Sequence, residues 1–107
     1  MSYLPTEQDL TTQKFDVVEF LQTEEEMQFY LAEMLEEGTP DEIIQALNDI
    51  ARARGIAQLA KDTGLGRESL YKTLSQGSKP RFETILSIIR ALGMQLSTVP
   101  KQEVRIA

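Results

Sequence analysis

Residues 56–74, IAQLAKDTGLGRESLYKTL, restrict the fold more than any other part of the chain, because they read as two short helices broken by a glycine turn. Leu59 and Ala60 lie on the inner face of a first helix running from 56 to about 62, and Ala60 is small enough for a second helix to cross it closely. Gly64 ends that helix, since the residue just past a helix end often takes positive φ, which glycine adopts without a Cβ clash. Leu65 plugs the corner. Gly66 serves as the next N-cap, though a weaker one than Ser or Asp, and a second helix from 67 to about 75 buries Leu70 and Leu74 at i, i+4. Arg67, Glu68, Tyr71 and Lys72 are left facing outward. This is the layout of a helix-turn-helix over residues 56–75, whose second helix lies in the DNA major groove with its N-terminal residues near base edges.

The rest of the chain reads as support. Residues 1–14 lack periodicity and are expected to form a mobile arm, with a C-terminal tail at 100–107 and one helical domain at 15–99. At 15–21, Asp16 with Glu19 suggests a capping box and a helical turn or two, while Val17 and Val18 would suit a strand; helix is the favoured reading. Thr23 and Glu26 cap a helix to 37 whose stripe is Met27, Tyr30, Leu31, Met34 and Leu35, and Gly38 stops it. Thr39, Pro40 and Glu42 start another, with Ile43, Ile44, Leu47, Ile50 and Ala51 inward, Arg52 and Arg54 at its negative end and Gly55 as terminator. After a loop at 76–80, Phe82, Ile85, Leu86, Ile89 and Leu92 form a last stripe ended by Gly93. Residues 94–99 alternate weakly before Pro100, which reads as a short edge strand or an extended segment. The fold class is therefore all-α, five or six short helices around one core with a possible C-terminal edge strand.

At 107 residues no second domain fits. No apolar run is long enough to span a bilayer and the N-terminus lacks the regions of a signal peptide, so the chain is expected in the cytoplasm with no membrane partner. An enzyme is not expected: with no His and no Cys, the commonest general base and the thiol nucleophile are both missing. No acidic cluster has the spacing of a calcium loop, and neither metal nor cofactor is expected.

The net charge of −6 hides a division. Residues 1–50 hold thirteen acids and one base, Lys14, whereas residues 51–107 hold ten bases and four acids. A chain so divided can present one face to DNA phosphates and another to a basic protein, although acidic helix faces are often simply solvated. Arg67 and Glu68, in the first turn of the second helix, are candidates for base edges: Arg can bond guanine O6 and N7, and Glu can accept from cytosine N4. Lys72 is placed to reach a base or a phosphate. Tyr71 is a candidate for a phosphate or a thymine methyl, with half-buried packing as its alternative. Lys79 and Arg81, beside the motif, would hold the DNA backbone and set affinity without reading sequence.

Ala60, Gly64, Leu59, Leu65 and Leu70 resemble the Cro and phage-repressor type of helix-turn-helix. The longer run ARARGIAQLAKDTGLGRESLYKTLSQGSKPRFETILSIIRALGMQLS resembles the addiction-module antidote proteins, and the likeness covers roughly residues 15–99. Gly66 departs from it, standing where such proteins often carry a Ser cap. The resemblance implies an antitoxin that neutralises a RelE/HigB-like ribonuclease toxin and represses its own operon. The acidic half would then face the toxin's basic surface, with Glu24, Glu25 and Glu26 steering, Phe20 and Phe29 anchoring, and Tyr30 either anchor or core. Two-fold operators imply a homodimer, with residues 82–99 as its candidate contact. A stand-alone repressor, and an inhibitor whose helix-turn-helix is only scaffold, remain the alternatives.

Overall fold

The computed structural model describes residues 16–101, and these form five α-helices preceded by one 3-10 turn. The arm expected at 1–14 and most of the tail expected at 100–107 lie outside the described residues. The chain runs through the turn Val17–Phe20, then α1 (Glu24–Glu37), α2 (Pro40–Arg54), α3 (Ile56–Thr63), α4 (Arg67–Thr73) and α5 (Phe82–Ala91). No helix among the described residues is long and apolar enough to cross a membrane.

Local chemistry sets the helix starts. Asp16 caps the 3-10 turn, its carboxylate accepting the Val18 N–H at 3.1 Å, so the ambiguous segment is helical. The α1 capping box is complete: Thr23 Oγ1 accepts the Glu26 N–H at 3.0 Å, and Glu26 Oε1 accepts the N–H groups of Thr23 at 3.0 Å and Gln22 at 2.8 Å. Thr39 and Glu42 repeat the box at α2, behind which Pro40 occupies the first turn, where its missing N–H costs nothing.

Packing proceeds outward from α2, which contacts the 3-10 turn, α1 and α3; α3 in turn packs on α4 and α5. The core is Leu21, Met27 and Leu31 from the N-terminal part, Ala46, Leu47, Ile50 and Ala51 from α2, then Ile56, Leu59, Leu70, Leu74, Ile88, Ile89 and Leu92. Three expectations are corrected. Leu35, in the last turn of α1, is 44% exposed because the buried side of this helix is confined to Met27 and Leu31, with Tyr30 and Met34 partly covered. Phe82 is 67% exposed at the first position of α5, while Ile88, absent from the expected stripe, is fully buried. The apolar surface of α5 is broad enough that periodicity left its phase open, and packing on α3 chose Ile85, Ile88, Ile89 and Leu92, the i, i+3, i+4, i+7 set. The possible edge strand is not formed: no strand occurs among the described residues, so 94–99 has no ladder to join, and its alternation instead sets Met94 and Leu96 against the core.

Among the described residues, one buried polar side chain stands against this apolar packing. Asp49 is 4% exposed on α2, and its carboxylate accepts three bonds: from Tyr30 Oη at 2.7 Å, Gln45 Nε2 at 3.0 Å and Arg52 Nη2 at 3.1 Å. A buried carboxylate costs several kcal/mol unless paired and hydrogen-bonded, and here both requirements are met. No buried side-chain polar atom among the described residues lacks a partner. Burial, followed by the bond to Asp49, pushes the Tyr30 phenol well above its usual pKa. The Arg52 guanidinium, then the Val18 amide, holds the Asp16 carboxyl below the usual carboxylate range.

Tyr30→Phe should cost about 1–3 kcal/mol in urea unfolding, because it strips one partner from a buried carboxylate. The raised phenol pKa gives the sign of the pH dependence. Tyr30's contribution is complete below the ordinary tyrosine pKa and is lost as pH climbs through the raised folded value, so the gap between wild type and Tyr30→Phe should close in alkali. Tyrosinate absorbance checks the same point, with the Tyr30 phenol ionising only above the ordinary tyrosine range.

Candidate functional site

The α3–α4 pair is joined by residues 64–66, and each takes a different backbone role. Gly64 adopts the left-handed conformation at φ 77°, its N–H donating to Ala60 O at 3.0 Å and closing α3. Leu65 turns inward against the core. Gly66, extended at φ −72°, is the N-cap of α4 and contributes no side-chain bond. Thr63 knots the corner from within: its hydroxyl donates to Leu59 O at 2.8 Å and accepts the Leu65 N–H at 3.2 Å. This role was open to sequence reading, because Thr in a last helical turn commonly bonds back to the carbonyl four residues earlier.

With Leu70 and Leu74 almost wholly buried, α4 turns Arg67, Glu68, Tyr71 and Lys72 to the exterior. Tyr71 is 46% exposed, which leaves its ring available on one side. Lys79 and Arg81 are exposed on the loop that leads into α5. Among the described residues Arg67, Lys72 and Lys79 form no ion pair, whereas Arg81 Nη1 lies 3.5 Å from Glu83 Oε1 on open surface. Exposed pairs of that kind are worth little, so Arg81 remains available to an anion.

The acidic candidates are not equivalent. Glu26 is committed to the α1 cap. Glu24 lies 3.4 Å from Arg54 while its side chain stays 82% exposed, and Glu25 is exposed. Glu24 and Glu25 also rim a shallow cleft of about 240 Å³ between the start of α1, Arg54 and residues 92–94. Phe20 and Phe29 are 61% and 65% exposed, on the 3-10 turn and on α1. Tyr30, the third aromatic candidate, is turned to Asp49 and takes the core role that was its alternative.

Sequence reading missed the polar residues of α2. Asp49 falls three residues after the buried Ala46, on the same face, which was the available signal that it points inward. Arg52 was expected only to complement the helix dipole, yet it forks onto Asp16 at 3.1 and 3.2 Å. Asn48 escaped notice altogether; its Nδ2 donates to Leu74 O, at the carboxyl end of α4, at 3.2 Å.

These features define a small all-helical domain carrying one exposed basic helix pair and one mostly acidic helix. Against known proteins, the family model described as "Probable addiction module antidote protein" matches residues 11–100, and the chain belongs to that family. An uncharacterized protein of Haemophilus influenzae is 49% identical over 81 residues, covering 76% of this chain and 84% of its own. No solved structure matches the chain.

The two turn glycines make a paired test, since a Cβ at either would meet nothing within 4 Å and backbone conformation alone decides the outcome. Gly64→Ala should destabilise by about 1–2 kcal/mol, because it forces a side chain into the left-handed region. Gly66→Ser, at an ordinary φ, should instead gain roughly 0.2–0.5 kcal/mol by supplying the missing cap. Thermal unfolding of the two variants reads both.

Proposed function

We propose that this chain is the antitoxin of a two-protein addiction module, binding its own operator as a homodimer and neutralising a small basic ribonuclease of the RelE/HigB-like type. The observation that carries the DNA half is the disposition of α4: buried Leu70 and Leu74 hold it, and Arg67, Glu68, Tyr71 and Lys72 stand outward with two unpaired cations among them. In this reading α3 and α4 act as a helix-turn-helix of Cro and phage-repressor type. Arg67 and Glu68 meet base edges, Lys72 and Tyr71 reach the adjoining groove wall, and Lys79 and Arg81 grip phosphates. A recognition helix of one monomer covers too little DNA for tight binding, so two copies would engage half-sites about 34 Å apart. Exposed Phe82 and Val99 supply apolar surface for the pairing within 82–99.

For the toxin half, family membership supplies the partner and charge supplies the surface. Glu25 is the acid of the 24–26 run that neither caps the helix nor pairs with an arginine, and Phe29 follows it by four residues, one turn along the same exposed side of α1. Basic toxin surface would be drawn in by the acids and held by the aromatics Phe20 and Phe29, since rim charges chiefly speed encounter and buried anchors slow escape.

Arg67→Ala should cost about 1–3 kcal/mol of operator affinity and relax one base position, while Lys79→Ala should weaken all sequences alike and lower the salt slope by about one. Gel shifts at physiological salt that show no preference for the chain's own promoter would refute the DNA half. Replacing Glu24, Glu25 and Glu26 by Gln, which preserves the cap, should slow association with the small basic protein encoded beside it, and Phe29→Ala should speed dissociation. Stopped-flow mixing at low salt separates the two, and unchanged rates in both variants would refute the toxin half.

A further inference from the structure

The 3-10 turn and the end of α4 are far apart in sequence, yet an unbroken line of side-chain hydrogen bonds joins them across α2. Arg52 Nη1 and Nη2 bond Asp16 Oδ2 and Oδ1 at 3.1 and 3.2 Å, Arg52 Nε donates to Asn48 Oδ1 at 3.2 Å, and Asn48 Nδ2 donates to Leu74 O at 3.2 Å. Each link has a fixed polarity. Asn48 must offer its oxygen to the guanidinium and its nitrogen to the carbonyl, so a single amide orientation serves both neighbours. Arg52 is a rigid planar fork, and the Asp16 carboxylate, bonded to both of its terminal nitrogens, sets the plane from which Nε reaches Asn48.

The need for such a device lies in α4 itself. It has only seven residues and starts at a glycine that supplies no side-chain cap, so its amino end is weakly held. Its carboxyl end is where position can be imposed: Leu74 is 1% exposed, and its carbonyl, one of those left over past a helix end, is taken up by Asn48. A helix that reads base edges requires placement to a fraction of an ångström, which a buried side chain together with a directed hydrogen bond supplies.

We propose that Asn48 is a positioning residue for α4, and that the Asp16–Arg52–Asn48 line makes the placement of α4 depend on the docking of the 3-10 turn. The consequence for DNA rests on the reading of α4 as the recognition helix; the line of bonds does not. Asp16→Asn weakens the fork and lets Arg52 rotate about its remaining bond to Asp49, which loosens Asn48. Asn48→Asp keeps an acceptor for Arg52 but sets a carboxylate against the Leu74 carbonyl, cutting the line at its other end.

Amide hydrogen exchange on the full-length variants tests the line without DNA. Exchange at Leu74 and Ser75 should quicken about three- to tenfold in each single variant, the range one hydrogen bond commands, while the α1 amides of Met27 and Leu31 stay unchanged, as general destabilisation would not leave them. The double variant should do no more than either single one, because both cut one line. Operator affinity should fall by a similar factor at an unaltered salt slope, since no phosphate contact is removed. Unchanged exchange at Leu74 in Asp16→Asn, or additive effects in the double variant, overturns the proposal. Wild-type protein that shows no operator preference would remove the DNA reading alone, leaving exchange to decide the positioning role.

Discussion

The buried carboxylate of Asp49 is the interaction on which the rest of the domain depends. Three elements answer to it: Tyr30 comes from α1, Gln45 from the preceding turn of α2, and Arg52 brings with it Asp16 and the 3-10 turn. An apolar contact between α1 and α2 would tolerate sliding, since burial has no direction. A carboxylate that must be satisfied from three sides tolerates little, because displacing any partner exposes a charge to a medium that solvates it poorly. The N-terminal part of the fold is thereby fixed in register on α2, and α2 in turn backs the α3–α4 pair.

That network also changes the meaning of the chain's charge asymmetry. Several of the thirteen acids of the first half have internal duties: Asp16 and Asp49 hold Arg52, Glu24 meets Arg54, and Glu26 and Glu42 close capping boxes. What remains for an outside partner is concentrated on α1, where Glu25, Glu33, Glu36 and Glu37 are exposed. Glu36 and Glu37 lie in the last turn, with no base beside them. Acids at that end oppose the helix dipole, at a cost of roughly 0.3–1 kcal/mol each, so helix stability is not the reason for their placement.

The basic half is arranged on the opposite logic. Arg52 and Arg54, in the last turn of α2, are spent on internal pairs with Asp16, Asp49 and Glu24, whereas among the described residues Arg67 and Lys72 on α4 and Lys79 on the loop after it form no ion pair. Folding therefore sharpens a division that is only approximate in the sequence. The basic residues nearest the acidic elements are neutralised by them, and those on the helix pair are left with their full field.

Much of the fold was legible because its signals are local. Thr23 with Glu26, Thr39 with Pro40 and Glu42, and the glycines at 55, 64 and 93 act within a few residues of themselves, so no knowledge of the tertiary structure is needed to read helix limits from them. The outward set on α4 was equally accessible, since Leu70 and Leu74 define an inner side and leave Arg67, Glu68, Tyr71 and Lys72 no other direction. Tertiary structure alone decided which side of α5 is buried, because its apolar surface is wide enough to admit several phases and only contact with α3 selects Ile88 over Phe82. It also decided the fate of residues 94–99, whose alternation suits a strand only where a neighbouring strand exists. The bonds of Asp49, Arg52 and Asn48 belong to the same class: their partners at 30, 16 and 74 are set by how helices cross, and a helical sequence pattern specifies faces but not what those faces will meet.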